Sequence, residues 1–79
     1  MWLYTPMPKI PLLKPGQVMS ALEKAGFHRV RQRGSHLQFK RGNLLVTVPN
    51  HPGDLNPQVL RSILRQAQMT AEELSTLLK

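Results

Sequence analysis

The chain of 79 residues has no cysteine, four acidic residues, and no apolar run of the roughly 18–20 residues needed to span a bilayer. Without cysteine there is neither a disulfide framework nor a thiolate zinc site to prop up a small core. Ordinary apolar packing must carry the core, and a hydrophobic content of 41% permits that. The opening Met1-Trp2-Leu3-Tyr4-Thr5-Pro6-Met7-Pro8 lacks the basic start and unbroken apolar stretch of a secretory signal. With no membrane segment either, the expected location is the cytoplasm. A single domain of this size has a stability on the order of 4–12 kcal/mol. It has no room for a Rossmann fold, a TIM barrel or an enclosed cofactor pocket, so no small-molecule cofactor is expected.

What the chain does have is positive charge. Eleven Lys and Arg against four Asp and Glu give +7, with a pI near 11.0. No acidic residue lies between Glu23 and Asp54, whereas Lys24, Arg29, Arg31, Arg33, Lys40 and Arg41 fall in that window, together with His28, His36 and His51. A basic stretch is often no more than a solvated face. Here it covers the whole middle of the chain, which points to a phosphate-bearing partner.

Residues 1–13 read as a proline-rich tail, since Pro6, Pro8 and Pro11 oppose both a regular helix and central-strand pairing. Residues 14–79 read as one domain. Pro15 suits a first helical turn, Val18, Ala21, Leu22 and Ala25 recur at helical spacing, and Gly26 fits the position after a helix end. The period then becomes two. Val30 and Gln32 are expected on one face and Arg29, Arg31 and Arg33 on the other. Beyond a Gly34-Ser35 turn, Leu37 and Phe39 alternate with His36, Gln38 and Lys40. Beyond a turn at Arg41-Gly42-Asn43, Leu44, Val46 and Val48 alternate with Leu45 and Thr47. Asn56-Pro57 opens a second helix with Leu60, Ile63, Leu64 and Ala67 as its buried stripe. Thr70-Ala71-Glu72-Glu73 is a capping box for a last short helix, with Met69 and Leu74 at the staple positions. The expected fold is an α+β, α-β-β-β-α two-layer sandwich with a short extra C-terminal helix. Double-stranded-RNA-binding domains share that order, which by itself says little about function.

The basic sheet face invites a specific chemical question. Cleavage of RNA by transesterification needs a base for a 2′-hydroxyl, a cation for the phosphoryl oxygens, and an acid for the departing 5′-oxygen. A histidine works as base or acid near neutral pH without a metal. His36 follows a tight turn and is expected to share a face with Gln38, Lys40 and the strand-one arginines. On spacing alone, a lone histidine at a strand start is more often a surface residue than a catalyst. No other set competes: Ser20, Ser35, Ser62 and Ser75 have no paired base and acid, and the scattered acids form no dyad. The histidine separations match no zinc spacing, so no metal site is expected.

Gly26-Phe27, Arg31-Gln32-Arg33-Gly34-Ser35-His36, Val46-Thr47-Val48-Pro49, His51-Pro52-Gly53 and Leu60-Arg61-Ser62-Ile63-Leu64-Arg65-Gln66-Ala67 carry a family resemblance. In order and gaps, from about Lys14 to Leu78, the chain resembles the HicA (YcfA-like) toxins. The resemblance implies a ribosome-independent mRNA interferase with a double-stranded-RNA-binding-like fold. It also implies toxicity that depends on the histidine of the Gly-Ser-His turn, here His36. A HicB antitoxin that covers the active site is the implied partner. The chain departs from the family pattern at Gln68, where Gly is common, and at Gln58-Val59, where Gly-Thr is common.

The expectation is thus a toxin endoribonuclease acting on single-stranded mRNA, with His36 as general base. Arg31, Arg33 and Lys40 would hold the phosphate and the strand, and Gly34 and Ser35 would fix the imidazole. His51 would contact substrate, and either it or water would protonate the leaving group. One rival is a non-catalytic RNA-binding module of double-stranded-RNA type. That module needs basic residues at a helix N-terminus and in a groove-spanning loop, whereas here the charge lies on the strands. A second rival, a protein-binding adaptor using the tail and Leu45, leaves the acid-free window unexplained.

Overall fold

A computed structural model of the chain describes residues 12–78, so the tail up to Pro11 lies outside the described residues. The elements are α1 (Pro15–Lys24), β1 (His28–Arg33), β2 (His36–Arg41), β3 (Leu44–Pro49), α2 (Pro57–Ala67) and α3 (Ala71–Leu77). This is the expected α+β order, with α3 as the extra C-terminal helix.

Each helix starts by the rule its sequence announces. Pro15 opens α1, and the Gln17 side chain accepts the Lys14 N–H at 2.9 Å. Asn56 caps α2 by accepting the Gln58 N–H at 2.8 Å, with Pro57 next. Thr70 and Glu73 satisfy one another's backbone N–H at the start of α3, at 3.0 and 2.8 Å. An apolar residue precedes each cap: Leu13, Leu55 and Met69. Their staple counterparts are Val18, Leu60 and Leu74, all buried. Leu13, at the end of the stretch read as tail, is itself a core residue, and its carbonyl accepts the Leu55 N–H at 2.7 Å.

The ends of α1 and α2 both need left-handed backbone. Gly26 (φ 97) follows α1, and a Cβ there would come 3.3 Å from Arg41 Cδ. Arg41 Nη1 donates to the Ala25 carbonyl at 2.6 Å, and its guanidinium lies 4.8 Å from the centre of the Phe27 ring. The last residue of β2 is therefore a clamp on the end of α1, not a free surface cation. At the end of α2, Gln68 adopts φ 54. Glycine is the residue such a left-handed cap favours.

The strands form an antiparallel sheet in the order β1-β2-β3. Both hairpins have two-residue loops, Gly34-Ser35 and Gly42-Asn43, with positive φ at the glycine and not at its successor. Those signs match a type II′ turn, whose twist suits the flanking strands. Leu37, Phe39, Val46 and Val48 turn inward and are buried with Val18, Leu22, Leu60, Ile63 and Leu64 of the helices. Burial of each such Leu, Val or Phe side chain contributes about 1.5–3 kcal/mol before chain entropy is set against it.

β1 behaves differently, being exposed along its whole length. The expected pairing of Val30 with Gln32 on one face is corrected by a bulge. Arg33, Gln32 and Arg31 oppose His36, Leu37 and Gln38, after which the register shifts and Arg29 opposes Phe39. Val30 is the extra residue, 50% exposed. Arg29 consequently falls on the Phe39 side of the sheet, and His28 joins the outer face opposite Lys40.

Candidate functional site

The outer face of the sheet is a small grid. Opposed residues of neighbouring strands share a face, so the registers set the rows. The first row runs Arg33, His36, Pro49; the second Arg31, Gln38, Thr47; the third His28, Lys40, Leu45. Every cation of this face stands on β1 or β2, and the β3 column is uncharged. None of the three strands contains a carboxylate, so nothing on the grid itself neutralises the charge.

His36 is exposed and sits at the end of the first row, beside Arg33 across the hairpin. Its backbone is held from several directions. The Gly34-Ser35 loop forces it directly opposite Arg33, and β3 pairs on its other side at Pro49. The Ser35 carbonyl accepts the Asn50 N–H at 2.6 Å, which ties the turn to the chain leaving β3. Gln32 Nε2 donates to the Gly34 carbonyl at 3.1 Å from the opposite flank. The exposed imidazole thus stands on a fixed backbone, with Arg33 as its cross-strand neighbour.

Of the residues singled out from sequence, Arg31, Arg33, His36 and Lys40 lie on this one face. Gly34 and Ser35 form its hairpin loop. His51 lies in the loop two residues beyond Pro49, exposed, with Nδ1 3.1 Å from the Pro52 carbonyl oxygen. A carbonyl only accepts, so this contact requires Nδ1 to carry hydrogen and leaves Nε2 as the nitrogen facing outward chemistry. Arg29, expected beside His36, is not on this face. Sequence reasoning missed His28, because only the bulge brings it there.

The chemistry such a face supports is anion binding, with an imidazole in the first row (His36) and another in the third (His28). The arginine fork fits phosphate oxygens, and an imidazole can give or take a proton without a metal. Comparison with known families bears on the same stretch. Residues 16–69, well over half of the chain, match the family model described as the HicA toxin of bacterial toxin-antitoxin systems. The chain belongs to the HicA toxin family. Toxins of this family are generally ribonucleases and have a cognate antitoxin. The HicA match takes in nearly all of α1, the whole sheet and α2, and stops short of α3. His36 and every other residue of the outer face lie inside it. None of the curated proteins matches the chain.

Among the described residues, two clefts of this HicA-family domain lie away from the outer face. One of about 340 Å³ lies where α1, α2 and α3 meet the end of β2, lined by Ala25, Arg41, Gln68, Met69, Glu73 and Leu77 among others. The second, about 280 Å³, lies between α1 and α3. Neither is lined by His36, Arg33 or Lys40. Among the described residues, no helix is long and apolar enough to cross a membrane.

Proposed function

We propose that this HicA-family toxin is an endoribonuclease that cuts single-stranded mRNA, with His36 as general base. The observation that carries the reading is the first row of the grid, an exposed histidine directly across from an arginine on a carboxylate-free sheet. His36 takes the proton of a ribose 2′-hydroxyl, and the 2′-oxygen bonds to the adjacent phosphorus. The bond from phosphorus to the 5′-oxygen breaks, and that oxygen takes a proton from water or from a His51 ring that carries hydrogen on both nitrogens. The products are a 2′,3′-cyclic phosphate and a 5′-hydroxyl. Arg33 holds the phosphoryl oxygens as charge grows on them, and Arg31 and Lys40 hold the strand further along. An open sheet accepts a splayed single strand, in which the phosphodiester is free for in-line attack.

The rival reading as a double-stranded-RNA module is weaker, because the start of α2 (Asn56-Pro57-Gln58-Val59) has no cation. A HicB-type antitoxin presenting an acidic surface would suit the same face and would neutralise it by occupying it in the cytoplasm, where mRNA is found.

The test is cleavage of a single-stranded RNA by the purified chain, with chelator present and absent. Wild type should cut natural RNA and leave its 2′-O-methyl counterpart whole. His36→Ala should lower the rate by about 10²–10⁴-fold, the usual contribution of a general base, while its unfolding midpoint stays put. Cleavage undiminished in His36→Ala would sink the reading. Binding of RNA without any cleavage would favour the module instead.

A further inference from the structure

The grid has a polarity that the nuclease reading alone does not use. Charge lies on the β1 and β2 columns, whereas the β3 column offers Leu45, Thr47 and Pro49. Rows succeed one another about 7 Å apart along the strands, twice the rise per residue. That spacing is comparable with one nucleotide of an extended single strand. The third row is cationic as well, because the bulge at Val30 puts His28 rather than Arg29 opposite Lys40. Bulges beside functional sites commonly re-aim a side chain in this way.

We propose that the outer face is a three-phosphate track for single-stranded RNA. Its backbone runs along the β1–β2 columns, its bases lie over β3, and the middle base is read by Gln38 and Thr47. This rests on the nuclease reading only for the identity of the first row as the cutting end. Lys40, with His28 across from it, takes the phosphate two nucleotides from the cut. Leu45, 47% exposed on the same row, supplies an apolar platform for the base that goes with it. In the middle row Gln38 and Thr47 are half-buried and opposed, with an amide and a hydroxyl available to a base edge. The face thus has a stated length, a direction and one reading position.

Binding tests this without relying on cleavage. The probe is a 2′-O-methyl hexanucleotide, which lacks the attacking hydroxyl, titrated into the whole chain at several salt concentrations. Lys40→Ala should lower the slope of log affinity against log salt by about 0.7, the loss of one single-strand phosphate contact. Arg33→Ala should lower it by a similar amount, and the pair together by the sum, since they hold different phosphates. Gln38→Ala should leave the slope alone and flatten the discrimination among hexamers that differ at one internal base. A slope indifferent to Lys40→Ala, or a base preference untouched by both Gln38→Ala and Thr47→Ala, overturns the track. Natural RNA left whole by a chain that passes these tests would count against the nuclease and not against the track. Natural RNA cut by a chain that fails them would do the reverse.

Discussion

On the inner face of β2, Leu37 and Phe39 are buried beneath the helices. On its outer face His36, Gln38 and Lys40 meet solvent or a ligand. One strand therefore serves two masters, alternating between them residue by residue. The inner residues hold the fold through contacts with α1, α2 and β3. The outer ones add almost nothing to stability, which frees them to carry charge and a titratable ring. In a domain this small, that alternation is how a site is accommodated without thinning the core.

Substitutions at adjacent positions are the strongest way to break that contrast. Phe39→Ala should cost about 3–5 kcal/mol, a large share of the whole stability, and leave the chain mostly unfolded in modest urea. Lys40→Ala, one residue on, should stay within about 0.5 kcal/mol of wild type. Equal losses in urea melts of the two variants would erase the distinction between the faces.

A smaller effect is expected from deleting Val30. With that residue gone, Arg29 and Arg31 become neighbours opposite Phe39 and Gln38, so no side chain changes face. Thermal unfolding should shift by less than about 1 kcal/mol, and RNA affinity should be kept. A collapse of either would mean that the bulge itself holds something. The smallest change expected is a gain. Gln68→Gly relieves a left-handed non-glycine residue but loosens the unfolded chain, for a net stabilisation of about 0.5 kcal/mol by denaturant titration.

β2 and β3 were legible in the sequence because buried residues recur there at every second position. β1 was legible as a strand but its faces were not, since none of its residues is buried and nothing in His28-Arg29-Val30-Arg31-Gln32-Arg33 marks an inner face. Its register is set by the hairpin and the bulge, which is why the place of His28 escaped the sequence reading. His36 itself was legible, from the turn that precedes it and from the family resemblance. The clamp of Arg41 on Ala25 and Phe27 was not, because it joins positions that no local pattern connects. Leu13 and Leu55 could have been found by the rule that identified Met69, an apolar residue just ahead of a helix cap.

The free margin of β3 has a consequence for life at high concentration. Alternation turns the N–H positions of Leu45, Thr47 and Pro49 away from β2. Proline has no hydrogen to offer, and Thr47 gives its own to Gln66 Oε1 of α2 at 2.9 Å. At the opposite margin, arginines and a kinked backbone repel a like strand. Neither border therefore offers a clean template for a foreign or identical strand, and the molecule is built to resist stacking into fibrils when it stands alone.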